Sequence, residues 1–249
     1  MTTTPGARPA VLVTGAARRL GAAIARRLHA AGYDVALHAR RSLDALEALV
    51  AELEAARAGS TLALPAELAD AERLPALIDA VVARFGRLDG LVNNASAFYA
   101  TPLGAITPAH WDELFAANAR APLFLAQAAA PHLAVRGGAI VNLIDVYAER
   151  PLAGHAVYCM AKAALAAATR ALALELAPRV RVNGVAPGAV LWPEHGKPAA
   201  ERDALIARTP LRRLGTPDDV AGAVLWLLHD ATFVTGEIVH VDGGRAAIG

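Results

Sequence analysis

Strand-like and helix-like segments alternate from residue 9 onward, and this alternation constrains the fold more than any other feature of the chain. The predicted strands are residues 9–13, 33–38, 61–64, 88–92, 139–144, 180–185 and 237–241. The predicted helices are residues 20–31, 43–58, 71–85, 108–135 with a break near Pro122, 156–177 and 217–229. Strands separated by helices pair in parallel, so the sequence predicts an α/β fold: a doubly wound parallel sheet with helices on both faces.

The composition supports one large core. Hydrophobic residues make up 55% of the 249 residues and charged residues 19%, which excludes wholesale disorder. Length alone allows one domain or two small ones, but no composition break and no internal repeat divides the chain. We therefore expect a flexible N-terminus, residues 1–7, followed by a single domain, residues 8–249.

Charge and cysteine content exclude several function classes. A net charge of +1 gives no global reason to expect nucleic acid or an anionic membrane as a partner. The single cysteine, Cys159, excludes an internal disulfide framework and a cysteine-rich zinc site, and we expect no metal. Residues 1–9 lack the apolar stretch of a signal peptide, and no membrane span is expected. The expected location is the cytoplasm.

A glycine-containing turn, residues 14–21, lies between the first predicted strand and the first predicted helix. Gly15 allows a tight turn, Gly21 allows the helix to approach the sheet, and free N–H groups at the helix start face a pyrophosphate. Two glycines also occur at ordinary strand–helix junctions. However, Arg18 and Arg19 are unfavourable at a helix N-terminus unless an anion binds there.

The end of the second predicted strand indicates which cofactor binds. Proteins that bind NAD place an acidic residue about 20 positions after the turn. Here His38, Arg40, Arg41 and Ser42 occupy that region, and the first carboxylate is Asp44. Guanidinium and hydroxyl groups suit a 2′-phosphate, so the sequence favours NADPH. The alternative is a solvated basic loop.

Tyr158 and Lys162 are four residues apart on one helical face. A phenol with a pKa near 10 donates protons poorly unless its anion is stabilised, and a neighbouring lysine supplies positive charge. The spacing alone also occurs by chance in many helices.

Together with other motifs in order, this pair makes the chain resemble the short-chain dehydrogenase/reductase family from about residue 8 to residue 249. The resemblance implies a Rossmann fold and a nicotinamide-dependent oxidoreductase. The matching motifs are Thr14-Gly15 through Gly21, Asn93-Asn94-Ala95, Asn118, Tyr158 through Lys162, Pro187-Gly188 and Val241-Asp242-Gly243-Gly244.

The resemblance also implies residue roles. Tyr158 would be the acid/base, Lys162 would lower its pKa and hold the nicotinamide ribose, and Asn118 would anchor a proton relay. The other residues implied to line the cofactor are Gly15, Arg18, Arg19, Leu20, Gly21, Glu67, Leu68, Asn93, Ala95, Ser96, Pro187 and Gly188.

Three departures from the family pattern narrow the substrate. Asp145 stands where most members have a serine, Arg19 replaces the middle glycine of the turn, and Ser96 replaces a glycine after Asn-Asn-Ala. All three match the pteridine reductase branch. That branch implies that Phe98 stacks on a pterin, that Arg19 reaches pterin and pyrophosphate, and that Ser96 bonds the cofactor or the pterin amino group. Asp145 and Tyr158 would deliver the proton.

The expected activity is therefore NADPH-dependent reduction of a dihydropterin, with oxidised pterins and dihydrofolate as further candidates. A carbonyl or 3-oxoacyl-thioester reductase is the nearest alternative, and it predicts serine at position 145. A non-catalytic NADP(H)-sensing or scaffold protein is the alternative from another class, and it has no need of Tyr158, Lys162 and Asn118 together. The resemblance also implies a homotetramer.

The loop of residues 187–198 follows a predicted strand and is a candidate lid over the substrate. Trp192 and His195 in this loop either close over the substrate tail or serve packing. His155, three residues before Tyr158, either borders the pterin or faces solvent.

Overall fold

Seven parallel strands form one sheet in the computed structural model, which describes residues 8–192, 196 and 198–247. The strand order is β3-β2-β1-β4-β5-β6-β7, and every neighbouring pair is parallel. The strands are β1 Ala10–Val13, β2 Asp34–Ala39, β3 Thr61–Pro65, β4 Gly90–Asn93, β5 Ala139–Leu143, β6 Arg181–Pro187 and β7 Ile238–Val241.

Helices connect the strands. They are α1 Arg19–Ala30, α2 Leu43–Ala56, α3 Leu74–Phe85, α4 Pro108–Phe115, α5 Ala121–Arg136, α6 Ala156–Leu176, α7 Ala199–Ala207 and α8 Pro217–His229. Short 3-10 turns cover Ala71–Arg73 and Val146–Ala148, and a π-helical turn covers Ala116–Arg120. The predicted doubly wound α/β fold is thus confirmed.

Two local features were not predicted from the sequence. Helix α7 was missed because its residues 199–207 form a short, exposed segment without a buried apolar stripe. The predicted helix 108–135 is two helices joined by the π-helical turn, and Pro122 lies at the start of α5. Residues 1–7, predicted as a flexible N-terminus, and His195 lie outside the described residues.

The core has two layers because side chains of a strand alternate between the faces of the sheet. Val11 and Val13 of β1 point to the face covered by α1, α2 and α8, where Leu28 and Val224 are fully buried. Leu12 points to the opposite face, against α3, α5 and the C-terminal part of α6. Apolar burial on both faces explains why these strands read as continuous apolar runs.

The crevice between β1 and β4 is where the strand order reverses. From β1 the chain winds outward through β2 and β3, and it then returns to add β4 on the other side of β1. The connections after β1 and β4 therefore leave in opposite directions at the carboxyl end of the sheet. In open α/β sheets this switch point is where ligands bind.

Helix α6 is long and apolar enough to cross a membrane by length and composition alone. However, 56% of its most apolar 18-residue window is buried inside the protein, where the helix packs against β6 and the turns Ala116–Arg120 and Val146–Ala148. A buried core helix accounts for the same hydropathy.

We predict that Gly21→Ala destabilises the protein. A Cβ at this position would lie 2.0 Å from the carbonyl oxygen of Gly15 and 2.6 Å from Nδ2 of Asn94, so α1 would have to move away from the turn. We expect the free energy of unfolding to fall by about 1–3 kcal/mol, measured by urea denaturation.

Gly222→Ala is the matched control. Gly222 lies inside α8, and a Cβ there would meet no described atom within 4 Å. Because alanine is the better helix former, this variant should gain about 0.5–1 kcal/mol. Equal effects of the two substitutions would show that the close approach at Gly21 is not required.

Candidate active site

Thr14 and Asn94 join the ends of β1 and β4 at the switch point. The Thr14 hydroxyl accepts hydrogen bonds from the N–H groups of Asn94 (2.9 Å) and Ala95 (3.0 Å). The Asn94 side chain in turn donates to the carbonyl oxygens of Thr14 (2.9 Å) and Gly15 (3.0 Å). Both side chains belong to motifs quoted from the sequence, but neither was assigned a role. They set the shape of the turn that begins at Gly15.

His38 supports this turn from behind. Its Nδ1 accepts from the N–H of Gly15 (3.2 Å), and its Nε2 lies 3.1 Å from the carbonyl oxygen of Ala66. Those partners require a neutral ring with the proton on Nε2, and burial lowers the pKa of His38 accordingly. Both ring nitrogens are thus engaged by the backbone, and His38 also lines a smaller cavity beside the turn, so its predicted place at the cofactor stays a prediction.

Arg19 keeps the backbone conformation of the glycine that it replaces. Its φ of 52° lies in the left-handed region, which costs a non-glycine residue about 1–2 kcal/mol. Its guanidinium donates to the carbonyl oxygen of Trp192 at 3.0 Å, so it reaches across the cleft to the segment after β6. Arg19 and Trp192 both line the cleft, which places Arg19 between the turn and the candidate lid.

The start of α1 fits a pyrophosphate. Its N-cap residue Arg18 makes no side-chain capping bond, and no acidic residue lies in the first turn of the helix. The first N–H groups of a helix have no partner within it, so they are available to an anion. Gly15, Leu20 and Gly21 line the same cleft. The residues of the turn therefore suit the cofactor predicted from the sequence.

Basic side chains follow β2 beside a second, smaller cavity. Arg40, Arg41 and Ser42 line the main cleft, and Arg40 lies 3.6 Å from the Glu67 carboxylate. Glu67, Leu68 and Ala95 line the adjacent cavity of about 190 Å³. The predicted ribose-phosphate and adenine residues thus lie together at one end of the cleft.

Asp145 caps the short turn after β5 and holds the Tyr158 phenol. Its Oδ1 accepts from the N–H of Tyr147 at 2.9 Å, and its Oδ2 accepts from the Tyr158 hydroxyl at 2.8 Å. Burial raises the pKa of Asp145, while the Tyr147 N–H, the Tyr158 hydroxyl and the positive charges of Lys162 and Arg245 oppose that rise. A carboxyl and a phenol therefore share one hydrogen bond at the centre of the cleft.

Tyr158 and Lys162 lie one turn apart on α6, and both are almost fully buried. Burial raises the pKa of Tyr158, and the negative charge of Asp145 raises it further. Burial lowers the pKa of Lys162 to about 8. The Lys162 ammonium donates to the carbonyl oxygen of Leu143 at 2.7 Å and lies 5.9 Å from the centroid of the Tyr158 ring.

This geometry corrects one expectation. The sequence predicted that Lys162 lowers the pKa of Tyr158, but in the structure burial and Asp145 dominate and the pKa is raised. The physical reason is that the phenol oxygen faces a carboxylate at 2.8 Å, whereas the ammonium is bonded to a backbone carbonyl. Tyr158 is consequently held as a neutral phenol, the form that donates a proton.

Asn118 lies in the π-helical turn and is fully buried. Its side-chain N–H groups donate to the carbonyl oxygens of Ala97 and Leu114, both at 2.9 Å, and its Oδ1 accepts from the Ser96 hydroxyl at 2.7 Å. These bonds join Asn118 to the 96–98 loop. Its implied part in a proton relay to Lys162 stays a prediction.

Phe98 lies beside the Tyr158 phenol. Its ring meets the Tyr158 ring edge to face, with centroids 4.7 Å apart, and stacks on His155 at 4.9 Å and 15°. Phe98 is nevertheless 52% exposed, and both Phe98 and His155 line the cleft. The structure thus places His155 at the cleft, and its contact with a pterin stays a prediction.

Asn93 was predicted to line the cofactor, and the structure corrects this. Its side chain is buried and donates to Asn142 at 2.8 Å, and Asn142 donates to Thr169 of α6 at 2.9 Å. This polar chain ties β4 and β5 to α6 behind the site. The next residue, Asn94, lines the cleft instead, because side chains alternate along a strand and its extension.

The complete cleft has a volume of about 900 Å³. It brings the turn, the basic residues after β2, the Asp145–Tyr158–Lys162 group, Phe98 and the predicted Pro187 and Gly188 onto one surface. Among the polar residues that line the cleft, three were not predicted as site residues: Asn94, Tyr147 and Arg245. Arg245 directly follows the quoted motif Val241-Asp242-Gly243-Gly244, in the C-terminal turn. Among the described residues, no group of three His, Cys, Asp or Glu side chains is placed to hold a metal ion.

Comparisons with known proteins identify the family of this chain. A family model described as enoyl-(acyl carrier protein) reductase matches residues 15–246. Pteridine reductase 1 of Leishmania tarentolae is 39% identical, with 98% of each chain covered. The granaticin polyketide synthase putative ketoacyl reductase 2 of Streptomyces violaceoruber is 40% identical, with 95% of each chain covered. The 3-oxoacyl-(acyl-carrier-protein) reductase of Staphylococcus aureus is 37% identical over 94% of this chain and 96% of its own. The chain belongs to the short-chain dehydrogenase/reductase family, and it is an oxidoreductase of the type that uses a nicotinamide cofactor.

Proposed function

We propose that this protein is an NADPH-dependent pteridine reductase that converts dihydropterins to their tetrahydro forms. The observation that carries the proposal is the 2.8 Å hydrogen bond between the Tyr158 hydroxyl and the Asp145 carboxylate at the centre of the cleft. Relatives named as pteridine reductase and as ketoacyl reductase match at 39% and 40% identity, so the substrate has to be argued from the site.

Asp145 favours a C=N substrate over a ketone. Reduction of a ketone builds negative charge on its oxygen, and an ionised carboxylate about 4 Å away would oppose this by about 4 kcal/mol at an effective dielectric constant of 20. The same carboxylate attracts a protonated ring nitrogen. A serine hydroxyl, which the ketoacyl reductase alternative predicts at position 145, carries no such preference.

Phe98 favours a flat substrate. Its ring lies 4.7 Å from the Tyr158 ring and is 52% exposed, so a planar heterocycle can stack on it beside the phenol. Tyr147, Leu152 and His155 line the same part of the cleft and give it aromatic and apolar walls. A bicyclic nitrogen heterocycle fits this lining.

The hydrogen-bonded pair of Asp145 and Tyr158 can deliver a proton to the substrate. NADPH would supply the hydride when it is bound against the turn and Lys162. When Asp145 is protonated, its carboxyl donates to the Tyr158 oxygen, and the phenol proton is free to point at the substrate nitrogen. Tyr158 then gives up that proton and takes the one from Asp145, so the transfer ends with a neutral phenol and an ionised carboxylate. The raised pKa values of Asp145 and Tyr158 suit this sequence, because each disfavours the anion before transfer.

The choice of NADPH over NADH rests on Arg41. Arg40 lies near Glu67, whereas Arg41 forms no ion pair within the described part of the chain, lines the cleft and is exposed. A guanidinium in this place suits the 2′-phosphate of NADPH.

We further propose that the protein works in the cytoplasm as a homotetramer. Trp111 and Leu123 of α4 and α5, each 42% exposed, supply apolar surface for subunit contact.

We predict that the purified protein oxidises NADPH with dihydrobiopterin and dihydrofolate at a higher kcat/KM than with an acetoacetyl thioester. Tyr158→Phe should lower kcat for the pterins by about 10²–10⁴-fold, because the proton donor is lost. Stopped-flow absorbance at 340 nm measures turnover, and fluorescence titration should show unchanged NADPH affinity.

Tyr99→Phe is the control for this experiment. Its hydroxyl donates to Glu113 at 3.1 Å and lies outside the residues that line the cleft, so the same chemical change should leave kcat unaltered. Turnover of ketones or acyl thioesters without turnover of any pterin would contradict the proposal. Unchanged pterin turnover in Tyr158→Phe would contradict the assigned proton donor.

Arg41→Gln is predicted to raise the KM for NADPH by about tenfold or more and to leave the KM for NADH unchanged. The reason is the loss of a charge-assisted hydrogen bond to the 2′-phosphate, which only NADPH carries. Arg73→Gln, an exposed arginine outside the cleft, is the control. Equal changes for both cofactors would refute the role of Arg41.

The buried ammonium of Lys162 should leave a pH signature on stability. Its pKa falls from an ordinary 10.5 to about 8 on folding, so between these pH values the unfolded chain binds the proton that the folded protein has lost. Stability therefore rises with pH across this window, by at most about 1.4 kcal/mol per pH unit. We expect the difference in unfolding free energy between wild type and Lys162→Met to increase from pH 8 to pH 10. A difference that stays constant or decreases would show that folding does not lower the pKa of Lys162.

A further inference from the structure

We propose that Arg245 is a substrate-binding residue that holds an anionic group on the tail of the substrate. This inference rests on the proposed function and adds to it the residue that selects, among reduced pterins, those whose tail ends in a carboxylate. Arg245 lies near the C-terminus, lines the cleft and belongs to no motif used above.

The C-terminal turn is built to hold Arg245 in place. Both carboxylate oxygens of Asp242 accept backbone N–H groups, from Gly244 at 2.8 Å and from Ala246 at 2.6 Å, on either side of Arg245. Gly243 and Gly244 have φ of 66° and 92°, which few other residues adopt. The turn also fits tightly against β6, since a Cβ on Gly188 would lie 2.7 Å from the Cα of Asp242.

Two contacts fasten this turn and the strand before it, β7, to the loop that follows β5. Arg150 donates to the carbonyl oxygen of Ala246 at 2.5 Å, and the Glu149 carboxylate lies 3.2 Å from Nε2 of His240. Glu149 and Arg150 directly follow the short turn that Asp145 caps. Arg245 is therefore carried on a fixed support beside the catalytic carboxyl.

The position of Arg245 separates it from the cofactor phosphates. It follows β7, whereas the phosphate turn follows β1 and Arg41 follows β2. In the sheet order β7 lies five strand spacings from β2 and four from β1. At about 4.8 Å per spacing these are distances of roughly 24 and 19 Å, beyond the reach of one side chain. The anion that suits Arg245 therefore belongs to the substrate.

The guanidinium itself is available to a ligand. Arg245 makes no side-chain hydrogen bond or ion pair with the described residues, although it is partly buried. Its charge is close enough to Asp145 to oppose the rise in pKa of that carboxyl. A partly desolvated arginine without a bonded partner is well placed to gain a carboxylate. Phe98 and Tyr158 then hold the ring while Arg245 holds the tail.

The experiment compares dihydrofolate with its dimethyl ester, which keeps the ring and removes the tail charges. In Arg245→Gln we expect kcat/KM for dihydrofolate to fall about tenfold or more, mainly through KM, because a charge-assisted hydrogen bond is lost. The value for the ester and the affinity for NADPH should stay within about twofold. Arg245→Lys should recover part of the loss, and Arg136→Gln, an exposed arginine at the end of α5, should behave as wild type.

Each outcome decides the inference. Equal losses for dihydrofolate and its ester, or a shifted pH profile of kcat for both, would assign Arg245 to positioning Asp145 and overturn substrate binding. An unchanged ratio between the two substrates would overturn it while the reductase activity stands. If wild type reduces neither compound and no other dihydropterin, the proposed function fails on its own. In that case binding to the NADP⁺ complex tests the inference. Wild type should bind dihydrofolate more tightly than the ester, and Arg245→Gln should bind both equally. Equal binding of the two compounds by wild type would overturn the inference as well.

Discussion

The close approach of α1 to the end of β1 is the constraint on which the rest of the site depends. Gly21 lies so near the turn that a single methyl group would collide with the Gly15 carbonyl, and Asn94 ties the turn to β4 through two hydrogen bonds. Because β1 and β4 flank the point where the strand order reverses, this contact shapes the mouth of the crevice. It also exposes the first N–H groups of α1, which is what makes the crevice a place for a pyrophosphate.

Burial also changes the pKa values of three side chains at the centre of the cleft. Asp145, Tyr158 and Lys162 reach the cleft from β5 and α6, and each has its pKa displaced by burial toward its neutral form. The carboxyl and the phenol share a proton-bearing hydrogen bond, while Lys162 is held by the end of β5. Such a group favours moving protons over stabilising an oxyanion, and this is the basis on which we propose a nitrogen heterocycle as the substrate.

Much of the fold could be predicted because hydrophobic periodicity, and the residues that end strands and helices, are local properties of the sequence. The seven strands and the order of the main helices followed from apolar runs ended by glycine, proline and polar residues. Helix α7 was missed, since a short exposed helix leaves no apolar periodicity to detect. The π-helical turn was read only as a break near Pro122, because the extra residue per turn is stabilised by the bonds of Asn118 to the 96–98 loop, which are tertiary.

The sequence by itself determined the class of fold, the family and the set of chemical groups at the site. The glycine turns, the Tyr158–Lys162 spacing and the aspartate at position 145 can be recognised from short stretches of sequence. Tertiary structure alone decided how those groups are used. In the folded protein His38 supports the backbone of the turn, and Asn93 is buried while Asn94 lines the cleft. Folding also raises the pKa of Tyr158 and brings Arg245 to the cleft. The physical reason is that burial, charge proximity and hydrogen-bond partners depend on which distant strand ends meet at one edge of the sheet.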